Sequence, residues 1–413
     1  MSRVVKLEEL CLPDQIGKYG IPAVAEEFSE DKVRYLRITD IDDYGNLLEN
    51  DKKSVSSPEI EKYILKEGDI VFARTGNSTG RTYYHEEKNG ELAFAGFLIK
   101  FSLDESKVNP KYLKYFTISK PYKQWVDNLS NGSTRGNINA KTFADCPIIL
   151  PSREQQDYLV RVLSSLEDKI QINNQINQEL EAMAKTLYDY WFVQFDFPDQ
   201  NGKPYKSSGG KMVYHPELKR EIPEGWGVDK LSSILEIGRE TINPMKTPKE
   251  EFKYYSIPEY DVSGSFSYEL GETIKSNKFL VEKSDLLVSK LNPWFNRVVY
   301  NLEESAISST EFIVWKTINR FEKNFLYQVA TSEGFIEYCT RFATGTSNSH
   351  KRVSPDIMVS FQIPFEKTYI QKFGEITDSI RTQVLQNNEQ NQELIQLRDW
   401  LLPMLMNGQV KVE

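Results

Sequence analysis

The feature that most constrains this chain is a polar phrase that occurs twice, as NNQINQEL at 173–180 and as NNEQNQEL at 387–394. The copies lie 387 − 173 = 214 positions apart, about half of the 413 residues. A shift of that size is close to the length of one to two domains, so an internal duplication is the first hypothesis to follow.

Each copy lies inside a long helical pattern with three- and four-residue spacing, which is typical of a coiled coil. The first series of predicted core positions is Leu159, Val162, Leu166, Lys169, Asn173, Ile176, Leu180, Met183, Leu187 and Tyr190. The series 214 positions later is Phe373, Ile376, Ile380, Gln383, Asn387, Gln390, Leu394, Leu397, Leu401 and Met404. The two series predict helices over 155–190 and 369–404.

If these helices pair antiparallel, their midpoints bring Asn173 opposite Asn387. A polar pair at a core position costs stability but fixes the register and orientation of the helices. The alternative interpretation is that the Asn–Gln cluster forms a solvated face.

The duplication continues outside the helices. GDIVFARTGNSTGRTYY (68–84) matches KSDLLVSKLNPWFNRVVY (283–300), and FLIKF (97–101) matches FIVWK (312–316). YLRITDID (35–42) weakly matches YYSIPEYD (254–261), and the order of these segments is the same in both halves. Their alternating strand patterns predict a mixed α/β (α+β) fold, with two globular domains held apart by an antiparallel two-helix coiled coil and related by a pseudo-two-fold axis.

The predicted boundaries follow from these patterns. They are a first globular domain at 1–151, a first helical spacer at 152–196, a connector at 197–226, a second globular domain at 227–364 and a second helical spacer at 365–413. The connector is rich in Gly, Pro and Lys, which indicates little room for a core.

Composition excludes several functional classes. The three cysteines have no CxxC spacing and no histidine near them, which argues against a zinc cluster and favours reduced thiols in a cytoplasmic protein. No apolar run reaches the ~18 residues of a membrane span, and the start MSRVVKLEEL lacks an apolar export segment.

A catalytic constellation is not visible either. Phosphate-loop, dinucleotide, metalloprotease and nucleophile-elbow motifs are all missing. The segment NPWF at 292–295 is similar to the amine-holding motif of amino-methyltransferases, but it lacks the second proline, and the chain has no glycine-rich loop for a methyl donor. No catalytic residue and no metal ligand are therefore predicted.

The charge distribution is uneven. The net charge is −9, but 107–141 carries seven cations against Asp127 alone, 7 − 1 = +6. Such a run is either a solvated surface or a surface that faces phosphate groups.

Two polar loops in each half form the candidate DNA-binding set. Arginine pairs with guanine edges and asparagine with adenine edges, while Ser, Thr and glycine amides hold phosphates. The alternative is that these residues only form turns. In the first half the candidates are Arg74, Thr75, Asn77, Ser78, Arg81, Ser133, Thr134, Arg135 and Asn137. In the second half they are Lys290, Asn292, Trp294, Arg297, Thr346, Ser347, His350, Lys351 and Arg352.

Helix length adds a geometric expectation. A helix of about 36 residues rises ~54 Å, which corresponds to roughly 15 base pairs of B-DNA. The hypothesis is a reader of two short half-sites with an unread gap between them.

The chain resembles the specificity (S) subunits of type I restriction–modification enzymes over its full length. The segments that carry the resemblance are YLRITDID, GDIVFARTGNSTG, NGSTRGNIN, IILPSREQQ and LEAMAKTLYDYWFVQFDFP. The second copy departs from the pattern, with KLNPWFNR in place of ARTGNSTGR and PFEKTYIQKF in place of PSREQQDYLV.

The resemblance implies that each globular domain is a target recognition domain and each helix a conserved spacer. It implies a non-catalytic subunit that binds double-stranded DNA and assembles with two modification (methyltransferase) subunits and with restriction (translocase/nuclease) subunits. S-adenosylmethionine, ATP and Mg are then cofactors of those partner subunits only, and no membrane is involved.

Apolar and aromatic residues at the helix ends are candidates for the partner-binding surface, because exposed apolar patches commonly mark interfaces. They are Tyr188, Tyr190, Trp191, Phe192, Trp400 and Leu401. The alternative is that they pack on their own domains. The competing function for the whole chain is a non-catalytic coiled-coil tether with two protein-binding modules.

Overall fold

The structure, a computed structural model, describes residues 3–49, 51–130, 137–345 and 350–406. The chain forms two compact units. Unit 1 comprises Met1–Ile172 and Gln390–Glu413, and unit 2 comprises Asn173–Glu389.

The first half of the chain contains the following elements. The strands are β1 (Arg3–Lys6), β2 (Lys18–Tyr19), β3 (Glu26–Glu27), β4 (Arg34–Leu36), β5 (Lys53–Ser54), β6 (Asp69–Ala73), β7 (Thr82–Tyr84), β8 (Leu92–Phe94), β9 (Leu98–Ser102) and β10 (Pro147–Leu150). The helices are α1 (Pro110–Thr117), α2 (Lys120–Ser130), α3 (Ala140–Ala144) and α4 (Arg153–Tyr188), which continues as a π-helical turn over Asp189–Val193.

The second half repeats much of this order. The strands are β11 (Met212–His215), β12 (Arg220–Pro223), β13 (Gly227–Lys230), β14 (Glu236–Gly238), β15 (Thr241–Ile242), β16 (Glu251–Tyr255), β17 (Ser267–Leu270), β18 (Lys278–Val281), β19 (Leu286–Ser289), β20 (Val298–Tyr300), β21 (Ala306–Ser308), β22 (Phe312–Lys316) and β23 (Gln362–Phe365). The helices are α5 (Ile257–Ser263), α6 (Arg320–Thr331), α7 (Glu333–Phe342), α8 (Pro355–Val359) and α9 (Lys367–Met406).

The sheets of the two halves share one topology. The order β2-β9-β6-β7 in unit 1 corresponds to β14-β22-β19-β20 in unit 2, and both sheets are antiparallel. A second sheet in each unit contains one parallel pair, β4 with β8 and β16 with β21. The pair β1–β10 corresponds to β13–β23. The predicted mixed fold and the matches between strand segments are confirmed.

The long helices begin at side-chain caps. Ser152 and Gln155 bond each other's backbone N–H groups at the start of α4, at 3.4 and 3.2 Å, which is a capping box. At the start of α9 the Glu366 carboxylate accepts from the backbone N–H of Tyr369 at 3.2 Å. These caps satisfy N–H groups that the helix itself cannot bond.

In unit 2 the two long helices run antiparallel, as predicted. Asn177 pairs with Asn387, and one turn later Glu181 pairs with Arg381, so the partner number falls as the α4 number rises. The predicted register is wrong. Asn387 donates from Nδ2 to Asn177 Oδ1 at 2.8 Å, one helical turn beyond Asn173. The midpoints of the helices do not face each other, because the packing of side chains sets the register.

In each helix, one of the two predicted core positions of the heptad is correct and the other is displaced by one residue. Of the predicted positions in α4, Leu159 and Asn173 are buried, but Ile176 and Met183 are exposed. The buried stripe of α4 contains Leu159, Leu163, Asn173, Asn177, Ala184, Tyr188 and Trp191. The stripe of α9 shifts likewise, to Phe373, Thr377, Arg381, Val384, Asn387, Asn391, Arg398 and Leu402. Spacing by apolar residues misled the prediction, because several of the true inner positions are polar or small.

Each unit has its own core. In unit 1 the core residues of β6, β9 and α1 pack with Leu159 and Leu163 of α4 and with Leu402 of α9. In unit 2 the core surrounds Trp315 and Phe325, and it includes Phe373 of α9.

The segment 197–226 contributes to the core of unit 2. Phe197, Ile222 and Trp226 are buried in it, and the rings of Phe197 and Trp226 stack at 4.9 Å. The expectation that this segment has little core is therefore wrong. Its turn residues separate aromatic side chains that fold back onto Tyr369.

Across the described ranges, none of the helices is long and apolar enough to span a membrane.

Candidate nucleic-acid interface

In unit 1 the loop after β6 is closed at its base by backbone hydrogen bonds. Ala73 donates to Arg81 O at 2.8 Å, and Arg74 donates to Phe97 O at 3.0 Å. Gly80 has φ +86, and a Cβ added there would lie 2.5 Å from Val126 Cγ1, so this position requires glycine. The loop is thus held in one shape by neighbouring elements.

The second predicted loop of unit 1 meets the first. Ile138 donates its N–H to Arg74 O at 2.9 Å, and Arg74 Nε donates to Asn137 Oδ1 at 3.2 Å. The Arg74 guanidinium also lies 5.1 Å from the centre of the Tyr19 ring. Segments 63 residues apart therefore form one polar surface.

Unit 2 makes the same backbone contacts. Ser289 donates to Arg297 O at 2.9 Å, and Lys290 donates to Glu311 O at 2.9 Å. Val353 donates to Lys290 O at 3.0 Å, as Ile138 does to Arg74 O in unit 1. The repeated contacts establish a structural equivalence between the two loop pairs.

The bond between Asn292 and Lys351 reinforces the second loop pair. Asn292 donates its backbone N–H to Lys351 O at 2.7 Å, and its Oδ1 accepts from Lys351 N at 2.9 Å. Asn292 has φ 47, in the left-handed region that asparagine tolerates better than most residues. Its buried amide oxygen therefore holds the two loops together.

Several predicted contact residues are engaged within the protein. Arg81 pairs with Asp43 through Nε at 2.7 Å and also donates to Ile41 O. Ser78 is buried. These residues shape the first loop, and their contact with DNA stays a prediction.

The same holds for two arginines of unit 2. Arg297 binds both oxygens of Asp261, at 2.5 and 2.8 Å, and Arg352 binds both oxygens of Glu311, at 2.9 and 3.1 Å. The hydrogen bond from Arg352 to Glu311 and their attraction raise the pKa of Arg352 above its ordinary value. Each arginine would have to leave a carboxylate before it could bind guanine.

The other candidates remain accessible. Asn77 and His350 are exposed, and Thr75, Lys290 and Lys351 are half-buried. Trp294 and its neighbour Phe295 lie in the loop between β19 and β20 and are exposed, with 38% and 57% of their surface accessible. Ser133, Thr134, Arg135, Thr346 and Ser347 lie outside the described residues.

The basic run at 107–141 is partly neutralised. Lys111 pairs with Glu86 at 2.6 Å, and Lys114 pairs with Glu167 at 2.6 Å. Burial alone would raise the pKa of Glu86, but the hydrogen bond from Lys111 and its charge outweigh burial and lower it. Lys120 and Lys123 of α2 are exposed and keep the basic character of this surface.

The predicted partner-binding residues divide into two groups. Tyr188, Trp191 and Phe192 lie in the core of unit 2 and Leu401 packs against that of unit 1, so their assignment to an exposed docking surface is corrected. The alternative, that these residues pack on their own domains, is correct for them, and Trp191 and Phe192 are buried within the π-helical turn that follows α4. Tyr190 and Trp400 are exposed, at 47% and 60%.

Sequence reasoning missed Tyr19 and Arg239. Tyr19 was overlooked because it lies 55 positions from Arg74 (74 − 19) in a strand of only two residues. Nothing local in the sequence marks Tyr19.

The paired loops present hydrogen-bond donors, cations and exposed aromatic rings. These are the groups with which proteins bind nucleic acids. Residues 4–182 match the family model described as "Type I restriction modification DNA specificity domain". This match covers the first of the two duplicated halves.

Two curated relatives agree with this match. The chain is 26% identical over 316 residues to the type I restriction enzyme MjaIX specificity subunit of Methanocaldococcus jannaschii, covering 73% of this chain and 69% of that protein. It is 22% identical over 431 residues to the type I restriction enzyme HindI specificity subunit of Haemophilus influenzae, covering 86% and 89%. The resemblance to type I specificity subunits is confirmed.

A solved structure shows the same fold. The S subunit of a type I restriction-modification system from M. genitalium superposes with a TM-score of 0.53 at 14% identity, over 98% of this chain and 96% of that one.

Proposed function

We propose that this chain is the DNA-sequence specificity subunit of a type I restriction–modification complex. It reads a bipartite double-stranded target, one half-site per recognition domain, and it docks methyltransferase and restriction subunits. The chain itself performs no catalysis, and S-adenosylmethionine, ATP and Mg belong to the partner subunits.

The observation that carries this proposal is the duplicated closure of two loops. Arg74 accepts from Ile138 in unit 1 as Lys290 accepts from Val353 in unit 2, while the exposed side chains around these bonds differ. A shared scaffold with different surface residues is suited to reading two different short sequences. Direct contacts to base edges then supply specificity, and lysines on phosphates supply affinity.

The second reading surface differs in chemistry from the first. Trp294 and Phe295 project from the loop that in unit 1 carries Asn77. Exposed aromatic rings stack on bases or wedge between base steps. We infer that unit 2 relies more on stacking and unit 1 more on hydrogen bonds.

Partner subunits would dock on an apolar stripe on the outer face of α4. Ile176, Met183 and Tyr190 recur every seven residues and are all exposed. Their spacing places them on one face of the helix, about 100° around its axis from the buried stripe, because each directly precedes a buried residue. This set replaces the buried aromatic residues of the sequence-based prediction.

The test compares Arg74→Ala with Lys290→Ala in the reconstituted modification complex. Methylated sites are then read by sequencing. Arg74→Ala should relax the base preference of one half-site only, and Lys290→Ala that of the other, with about 1–3 kcal/mol lost per good base contact. Equal relaxation of both half-sites by either variant would refute the assignment of one half-site to each domain.

A matched control is Lys62→Ala, an exposed cation of unit 1 that pairs with Glu59 away from the paired loops. It should change neither half-site. Arg135→Ala is a further variant of the first half, with the expectation stated for Arg74.

The competing function is a tether with two protein-binding modules, which the exposed apolar stripe of α4 also suits. The salt dependence of DNA affinity distinguishes the two functions. DNA affinity should fall steeply as salt rises because counterions return to the phosphates. Binding of the chain to DNA without such a slope would favour the tether.

A further inference from the structure

Unit 2 contains a cleft of about 360 Å³ beside its reading loops. Arg239 and Lys290 line it together with Phe279, Thr310, Pro355 and Asp356. Ligand pockets commonly measure ~300–1,000 Å³, so this volume suits a small ligand.

The register of the strands identifies the residues at the same place in unit 1. Leu98 pairs with Ala73 and Phe312 pairs with Ser289, which makes Leu98 and Phe312 equivalent. Counting along the next strand, the pair Lys18–Lys100 corresponds to Gly238–Val314. Tyr19 is therefore the equivalent of Arg239, and Arg74 the equivalent of Lys290.

In unit 1 the side chains at these two positions, Tyr19 and Arg74, contact each other. The Arg74 guanidinium lies 5.1 Å from the centre of the Tyr19 ring, which is a favourable cation–π distance. The Tyr19 hydroxyl also accepts the N–H of Ala140, the first residue of α3, at 3.3 Å. The ring and the cation thus cover the space between the strand and the loop.

In unit 2 neither contact can form. Two cations occupy the positions of the ring and its cation, and like charges at close range repel each other. Pro355, the first residue of α8, replaces Ala140 and has no N–H to donate. In the described part of the chain, the side chains of Arg239 and Lys290 form no hydrogen bond or ion pair with another residue.

The lining of the cleft indicates its ligand. Two cations in the lining suit a phosphate, which arginine binds through two parallel hydrogen bonds. Phe279 and Pro355 offer apolar surface to a flat ring, and an aromatic side chain stacks on any base. Asp356 repels a phosphate and accepts hydrogen bonds from amino groups, so it favours the base end of a ligand.

We propose that this cleft binds a single deoxynucleotide, with the phosphate at Arg239 and Lys290 and the base against Phe279. The proposal rests on the proposed function for its natural source: a nucleotide of the bound DNA strand that is unstacked at the second half-site. Unit 1, with its cleft closed by Tyr19, binds no such nucleotide.

The experiment titrates the full-length chain with dAMP and follows binding by calorimetry. The native chain should bind one dAMP, and Arg239→Ala and Lys290→Ala should each weaken binding by about ten-fold or more, as expected for a lost charged hydrogen bond. Arg239→Tyr restores the residue type of unit 1 and should abolish binding. The exposed Lys249→Ala is the matched control and should leave binding unchanged.

Four outcomes would overturn the proposal. They are no dAMP binding by the native chain, equal binding by all variants, binding of inorganic phosphate as tight as that of dAMP, and binding of deoxyadenosine as tight as that of dAMP. Duplex binding by the reconstituted complex is measured in parallel. Specific duplex binding without dAMP binding would refute the cleft and retain the proposed function, whereas dAMP binding without specific duplex binding would refute the proposed function alone.

Discussion

Arg381 of α9 forms a bidentate ion pair with Glu181 of α4, with Nη1–Oε1 at 2.7 Å and Nη2–Oε2 at 3.2 Å. The guanidinium is buried and lies 4.0 Å from the centre of the Tyr327 ring. A charged side chain that sits between a partner helix and an aromatic ring of its own unit fixes the position of α9 in unit 2.

Replacing Arg381 with Ala should lower the free energy of unfolding by about 2–3 kcal/mol. The value is below the 3–5 kcal/mol typical of a fully buried pair because the Glu181 side chain is 35% exposed. Urea unfolding monitored by tryptophan fluorescence measures the change. Arg153→Ala, which breaks the exposed pair with Asp157, is the control and should have little effect. Equal effects of the two variants would contradict this account.

The asparagine pair should behave as a coupled unit. Asn177→Leu leaves the buried amide of Asn387 without its acceptor and should cost about 1–3 kcal/mol. Replacing both residues with Leu should cost less than the sum of the single changes, because neither amide then remains unsatisfied. A double-mutant cycle by denaturant unfolding measures the coupling. Gln178→Leu, on the exposed face of the same helix, is the control, and strict additivity would exclude the coupling.

Lys323 should make the stability of unit 2 depend on pH. Burial lowers the pKa of Lys323 to about 7, assisted by Arg381 and Arg320 and opposed by Asp285. The unfolded chain keeps an ordinary lysine near 10.5, so between these values it binds more protons than the folded chain. Stability should rise with pH from about 7 to about 10.5, with a slope of up to about 1.4 kcal/mol per pH unit. Below about pH 7 the lysine is protonated in both states, so it should add no slope.

Unfolding free energies of native, Lys323→Met and Lys249→Met chains across this range test the slope. Lys323→Met should remove it, and the exposed Lys249→Met should retain it. A slope that survives the loss of Lys323 would assign the pH dependence to other groups.

The length of the long helices should set the preferred gap between half-sites, as the proposed function requires. Removing one heptad from α4 together with the facing heptad of α9 shortens each helix by about 10 Å, or roughly three base pairs. Methylome sequencing should then report the same bases with a shorter gap. An unchanged gap would rule out the spacer role.

The topology could be predicted from the sequence to a useful extent. Segments such as FLIKF and FIVWK became equivalent central strands because buried strands retain apolar runs after duplication. The inner positions of the helices were less predictable. Asn177 and Ala184 are buried while Ile176 and Met183 are exposed, so hydrophobicity pointed one residue away from the true stripe.

The candidate site was predictable in its loops but not in its individual contacts. The equivalence of Arg74 and Lys290 followed from the repeat, and the structure brings each to its second loop. Which arginines are occupied could not be read from the sequence, since Asp43, Asp261 and Glu311 approach them from distant segments. Long-range carboxylates leave no local signal.

The composition of unit 1 from both ends of the chain has a consequence for its synthesis. Leu402 belongs to the same core as Leu7 and Leu10, although it is synthesised 402 − 10 = 392 residues after Leu10. The ribosome therefore releases every residue of unit 2 before the N-terminal core is complete. A message cut short after codon 389 would damage the part of the protein that was translated first.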